Sequence, residues 1–224
     1  PSALTALALA PVAGTECAYA GRSVLAIGRD NGNIDLCTWC EGQSGSIAQG
    51  WSPVWTLLGE ENYKIESLAF TASASHLRLF STSGGSIVSE HFLPSSLTGQ
   101  QAADTRTPTR PLSSHGGAIW SMAASPTGKF LAIGCEDGVV RLIDVAGDAF
   151  EHVGTGMHVA PRMTRVASRI LSLAWGPPRR QMATSNDSDD DDDEAWRDTY
   201  LLGGLGNSTA DGWGVPPGHL KSRR

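Results

Sequence analysis

Four groups of side chains in this 224-residue chain have the types and spacing to carry chemistry. Cys37-Thr-Trp-Cys40 is a CxxC, half of a zinc site when a second such unit is present, or a redox dithiol when it opens a helix. The other two cysteines, Cys17 and Cys135, form no second unit. The motif closes a predicted strand, where positions three apart point to opposite faces, so both thiols are read as core or rim residues. His115 and Asp137, with Ser121 between them, are the residue types of nucleophilic hydrolysis, which requires a nucleophile, a base and an orienting acid in one place. Nothing in the sequence marks Ser121 as exposed or activated. We expect a structural pair instead, with the His115 imidazole bonding the Asp137 carboxylate in a turn and fixing strand packing.

The glycine runs Gly84-Gly85 and Gly203-Gly204-Leu205-Gly206 lack the following Lys-Ser/Thr and the helix that a phosphate cradle needs. His76, His91, His152, His158 and His219 show no metal spacing. No catalytic set, metal or cofactor is therefore expected. Arg162, Arg165 and Arg169, with Arg179 and Arg180 further on, form the main basic cluster, and Lys221, Arg223 and Arg224 a second. Such loops contact phosphates or acidic proteins, although no aromatic platform accompanies them in the sequence. Arg162, Arg165 and Arg169 are the candidates for RNA or partner contact. Ser188 is followed by acids at every position to Glu194, the context of acid-directed kinases, and is the candidate phosphorylation site.

The elements that position these residues are short strands. From His115 to Val145 the chain reads HGGAIWSMAASPTGKFLAIGCEDGVVRLIDV: three apolar segments separated by Ser-Pro-Thr-Gly and Glu-Asp-Gly. Proline presets φ and glycine takes the positive φ of turns, so this is a tightly connected antiparallel meander. The pattern recurs. Gly32, Gly85 and Gly138 hold the same place between an apolar run and the next strand, at intervals of 53 residues (85 − 32 and 138 − 85). A fourth copy is visible in YLLGGLGNSTADGWGV, where Val215 answers Val145 after 70 residues (215 − 145). A fixed period of this size with Asp-Gly or Asn-Gly turns and a Trp or Trp-Asp-like ending is the sequence form of a β-propeller blade. Trp39, Ile143-Asp144 and Trp213 occupy that ending. The expected class is all-β: a WD-repeat β-propeller with about four blades of an incomplete larger ring, seven-bladed by expectation. The blades fall at about 2–59, 60–114, 115–168 and 169–217. Residues for packing are His115, Trp120, Asp137, Asp144 and Trp175.

The formal net charge is −6, but the run Asp187 to Glu194 holds seven of the 23 acids, and the remaining 16 nearly balance 17 bases. The body is near neutral and the acidity belongs to an insert, 177–198, too poor in apolar surface to offset chain entropy and expected to be disordered. Residues 218–224 read as a basic tail. No run approaches the length of a membrane helix, and four cysteines without a secretory signature point to a reducing compartment, cytosol or nucleus. The chain opens on Pro1, not Met, and its last repeat is the most decayed, which points to a piece of a larger propeller.

The segments GGAIWSMAASPTGKFLAIGCEDGVVRLIDV and SRILSLAWGP resemble the cirhin family of WD-repeat subunits of the small-subunit processome. IESLAF and VLAIGRDNGNIDLCTW are similar to the preceding blades of that family, and the likeness covers about residues 2 to 217. The resemblance implies a non-enzymatic scaffold in the nucleolus that holds other processome WD-repeat subunits and the 5′ external transcribed spacer of pre-rRNA during 18S rRNA maturation. It implies no cofactor, no membrane and no small-molecule substrate. Where the family continues into further blades, a second propeller and a helical region, this chain does not. It has Gly206-Asn207-Ser208 and Gly212-Trp213-Gly214 in place of the Ser-Asp-Ser…Arg-x-Trp-Asp pattern expected there. The alternatives are a truncated product that does not assemble and a WD-repeat adaptor that presents substrates to a modifying enzyme such as a ubiquitin ligase.

Overall fold

A computed structural model describes residues 2–11, 21–40, 50–59, 63–72, 77–93, 109–147, 150–153, 165–180, 196–197 and 200–214. Among them there is no helix, and the strands form four successive antiparallel sheets and one short ribbon. The first sheet is β1 (Leu4–Leu9), β2 (Val24–Arg29), β3 (Ile34–Cys40) and β4 (Gly50–Leu57), in that order. The second is β5 (Ser67–Ala72), β6 (Leu77–Thr82), β7 (Ile87–His91) and β8 (Thr109–Ser113). The third comprises β9 (Ile119–Ala124), β10 (Phe130–Cys135), β11 (Val140–Asp144) and the two-residue β12 (Glu151–His152). The fourth begins with β13 (Ile170–Trp175). The ribbon of β14 (Arg179–Arg180) and β15 (Trp196–Arg197) follows, and then β16 (Tyr200–Leu205) and β17 (Ala210–Gly214) complete a sheet in the order β13-β16-β17. The insert expected to be without structure from 177 to 198 is therefore paired at its base, where Arg179 and Arg180 face Arg197 and Trp196. Ser188 and the acidic run lie outside the described residues.

Burial follows position in the stack. In β2 alternate residues are buried, whereas all six residues of β10, Phe-Leu-Ala-Ile-Gly-Cys, are buried. An alternating strand has one covered face, and a continuous apolar strand has two. Three apolar layers result. Ala26, Ile34 and Leu36 of the first sheet meet Leu68, Phe70 and Leu79 of the second. Phe80 and Val88 meet Met122, Leu131 and Ile133, and Ala132, Val140 and Leu142 meet Ile170 and Leu201. Pro53 is accommodated in the outer strand β4 at the irregularity between Leu36 and Cys37, where its missing N–H interrupts no regular ladder.

The turns are chemically equivalent but not identical. Four residues separate β2 from β3, β6 from β7, β10 from β11 and β16 from β17. The third of the four is Gly32 with φ 85°, Gly138 with φ 75° and, in the last sheet, Ser208 with φ 66°. In the second sheet Gly85 keeps the 53-residue interval, yet the left-handed residue is its neighbour Gly84, φ 71°. The shared place inferred for Gly85 is thus a shared position with a different turn conformation.

A polar layer ties the second sheet to the third. Glu90, almost fully buried, receives Arg78 Nε at 2.5 Å and Arg110 Nη2 at 2.5 Å. Arg78 Nη1 also donates to the carbonyls of Val145 at 2.6 Å and Gly147 at 2.8 Å. Two cations on one buried carboxylate, each with further partners, satisfy the condition under which buried charge is tolerated.

Candidate interaction surface between the third and fourth sheets

One end of the sheets gathers the turns and the starts of the innermost strands. Ile65 N–H donates to Arg29 O at 3.0 Å, Ile119 N–H to Gly85 O at 2.9 Å and Val166 N–H to Gly138 O at 2.9 Å. Each of these bonds links the start of an innermost strand, or the segment before it, to a turn of the preceding sheet or to the strand residue that enters that turn. The insert between β13 and β16 leaves from the opposite end. At the third of these junctions the turn Glu136–Val139 and residues 165–169 enclose a cleft of about 420 Å³, lined by Glu136, Asp137, Arg165, Val166, Ala167, Ser168 and Arg169. Glycine is required at 138 because a Cβ there would lie 2.2 Å from Val166 O and 3.0 Å from Ser168 O. The close passage of the two backbones shapes the cleft.

Asp137 organises the turn, though not with the partner expected. Its carboxylate accepts from Arg141 Nη1 at 3.0 Å and Nη2 at 2.7 Å, and from Val139 N–H at 3.1 Å. Burial pushes its pKa up, but the Arg141 fork, the Val139 N–H and the Arg165 charge outweigh that and hold it below the ordinary value. Arg141 in turn is raised above its usual range, chiefly by its hydrogen bond to Asp137. The expected His115–Asp137 bond is therefore replaced. Arg141 lies across the hairpin and offers two parallel donors, a better match to a carboxylate than one imidazole nitrogen. His115 is exposed with φ 54°, and its carbonyl accepts from Arg141 Nη2 at 3.3 Å. Its ring lies beside His152, centroids 5.3 Å apart.

Trp120, expected in the packing, is 43% exposed and touches two residues that line the cleft, Glu136 and Arg169. The reason is β9's alternation: Ile119 and Ser121 are buried, so the residue between them points outward. Its Nε1 donates to the Glu136 carboxylate, and the Arg169 guanidinium stands 4.9 Å over its ring. An aromatic ring from another sheet thus meets the basic segment. Arg165 Nε donates to Asp137 O at 2.9 Å. Arg162 lies outside the described residues. Asp144 accepts from Ala146 N–H at 2.8 Å in a local turn. Trp175 is half-buried in the layer between the third and fourth sheets, with Nε1 donating to Ala123 O at 3.0 Å.

Two further sites escaped sequence reasoning. Ser81 Oγ and His91 Nε2 share a hydrogen bond of 2.7 Å, and burial drives the His91 pKa down to about 4 against the opposing charge of Glu90. Ser81 is buried and Glu90 is engaged by two arginines, so this pair is packing chemistry enclosed in the second sheet. Glu90 with Arg78 and Arg110 is the other. Its members lie on three strands, and only the β7 pairing with β6 and β8 brings them together. Cys37 and Cys135 are buried with thiol pKa values raised, first by burial. No group of three metal-ligating side chains occurs among the described residues.

Consecutive antiparallel meanders, stacked face to face and stepping from the outer strand of one to the inner strand of the next, define a WD-repeat β-propeller segment of four sheets. The family described as "WD domain, G-beta repeat" matches residues 106–144. A chain in the Chaetomium thermophilum Polycomb Repressive Complex 2 bound to GSK126 superposes with a TM-score of 0.62 at 15% identity, covering 96% of this chain and 40% of that one; this likeness carries the fold alone. In sequence, the chain is similar to U3 small nucleolar RNA-associated protein 4 of Schizosaccharomyces pombe, 32% identical over 174 residues, which cover 77% of this chain and 21% of that protein. The Homo sapiens U3 small nucleolar RNA-associated protein 4 homolog is 42% identical over 71 residues, 32% of this chain and 9% of the relative. The chain thus spans about a fifth of the length of the fission-yeast relative.

Proposed function

We propose that this chain acts as a non-enzymatic scaffold in ribosome biogenesis, as part of a cirhin-like WD-repeat subunit of the nucleolar small-subunit processome. The observation that carries this reading is the 32% identity across 77% of the chain to a protein named for its association with U3 small nucleolar RNA. Each sheet is one blade, with boundaries near 59, 114 and 168, and the blades hold partners by many modest contacts whose joint effect is avidity. The partners are other WD-repeat processome subunits and the 5′ external transcribed spacer of pre-rRNA, and the reading involves no reaction step. The cleft between the third and fourth sheets is the contact surface: Arg165 and Arg169 face phosphate, and the Trp120 ring offers a base-stacking platform. Ser188 is the proposed phosphorylation site, where added charge would tune an insert that leaves from the other end.

The test is gradient sedimentation of the endogenous tagged protein from nuclear extract, with and without RNase. Cosedimentation with large particles that RNase disperses is expected, and Arg165→Glu with Arg169→Glu should weaken it. Sedimentation near the top of the gradient without RNase would overturn the reading.

A further inference from the structure

The cleft between the third and fourth sheets holds an acid that a plain phosphate site has no use for. Of its two acids, Asp137 is neutralised by the Arg141 fork. Glu136 is not. Among the described residues its carboxylate has one polar partner, Trp120 Nε1, and it forms no ion pair with Arg165 or Arg169, although all three line the same cleft. A carboxylate accepts through two oxygens, so one remains open to a ligand. The two arginines also retain donors: Arg165 gives one N–H to Asp137 O, and the Arg169 guanidinium lies 4.9 Å over the Trp120 ring. Trp120 itself is held for contact. In the β9–β10 ladder Gly134 pairs with Ser121 and Cys135 with Ile119, so Trp120 is the extra residue of a bulge. A bulge re-aims the side chain it carries, and the Nε1 bond fixes the indole beside the carboxylate.

These parts discriminate among ligands. A basic side chain from a protein partner would need the place over the ring that Arg169 already fills. A nucleobase stacks on an indole or on the plane of a guanidinium alike, so the Arg169–Trp120 pair accepts one on either surface. Stacking is indifferent to base identity; a carboxylate is not. It only accepts, and guanine is the one base whose Watson–Crick edge carries adjacent donors, N1–H and the N2 amino group. Adenine and cytosine set an amino group beside a bare ring nitrogen whose lone pair faces the carboxylate, and uracil sets its one N–H between two carbonyls. In a duplex that edge is already paired, so the base must come from a single strand. A cleft of about 420 Å³ has the size of a site for one small ligand, which fits a single nucleotide.

We propose that the cleft binds one unpaired guanosine of single-stranded RNA. The base stacks on the Arg169–Trp120 pair, the open Glu136 oxygen accepts from its donor edge, and Arg165 with the rim of the Arg169 guanidinium holds the flanking phosphates. This rests on the RNA contact proposed above and adds a base preference, which phosphate contacts alone do not give.

Fluorescence anisotropy of the 224-residue chain with labelled oligouridine carrying a central guanosine, adenosine or uridine tests this. Adenine stacks as guanine does, so the guanosine-to-adenosine ratio isolates the reading of the edge. Binding about tenfold tighter for the guanosine oligomer is expected. Glu136→Gln alters an exposed position. Its carbonyl stays with Trp120 Nε1, its amino group faces the base, and a charge that repels phosphate is gone. The variant is expected to bind all three oligomers at least as well as the parent but within about twofold of one another. Arg169→Gln is expected to weaken all three and to reduce the salt slope by about 1. Equal binding of the guanosine and adenosine oligomers by the parent, or a preference that survives Glu136→Gln, would overturn the guanine site and leave the phosphate contact standing. Binding of none of the three would overturn the guanine site and the RNA contact together, whereas the scaffold reading is decided independently by sedimentation.

Discussion

Charge burial is the dominant physics at single residues. Glu90 sits between Arg78 and Arg110, and Arg78 is the more enclosed of the two, also capping carbonyls of the third sheet. Glu90→Gln leaves that cation without its counter-charge and is expected to cost about 3 kcal/mol in urea denaturation. Arg110→Ala, whose side chain is 41% exposed, is expected to cost less than about 1 kcal/mol. His91 supplies a pH signature. Its folded pKa of about 4 lies below the ordinary 6.5, so between those values the unfolded chain takes up a proton that the folded chain refuses. Stability therefore falls as pH drops from about 6.5 to 4, by roughly 3 kcal/mol in all, and His91→Gln should flatten that part of the stability profile. Asp137, held below its usual pKa by Arg141, contributes in a separate window: its stabilisation is present above the ordinary carboxylate value and is lost as pH falls further. None of these partnerships was legible in the sequence, because each depends on strand register and not on spacing along the chain.

Turn conformation decides the outcome at the level of the elements. Third-position residues with positive φ recur, and glycine meets this need in two of the turns while Ser208 meets it in the last. Ser208→Gly is expected to raise stability by about 0.5 kcal/mol, the relief of about 1 kcal/mol of left-handed strain less the backbone freedom that glycine adds to the unfolded chain. Gly138→Ala should do the reverse, and more. It adds left-handed strain and drives a Cβ into the Val166 carbonyl, so a loss of at least about 2 kcal/mol is expected in the same denaturation experiment. The meander and its turns were readable from Pro-Thr-Gly, Asp-Gly and the apolar runs. The identity of the left-handed residue in the second sheet was not, since Gly84 and Gly85 are indistinguishable until the backbone is placed.

Across the whole molecule, stability should be graded by how many faces of each sheet are covered. Among the described residues, the second and third sheets lie between neighbours, and the first and fourth have one each. Native-state hydrogen exchange at low protein concentration is expected to be slowest in β6 and β10, and faster by at least about tenfold in β2 and β16.

By itself the sequence determined the class of fold, the number of meanders and the turns between them, because hydrophobic alternation and turn chemistry act over a few residues. It also placed Arg165 and Arg169 together in one connecting segment. Only the tertiary structure decided what those residues meet. Trp120 reaches Arg169 because the third and fourth sheets stack, Arg141 displaces His115 from Asp137 because the hairpin sets its register, and Arg78, Glu90 and Arg110 converge because three strands pair. Side-chain partnership across sheets depends on distances that chain order does not encode, so the site appears only when the sheets are assembled.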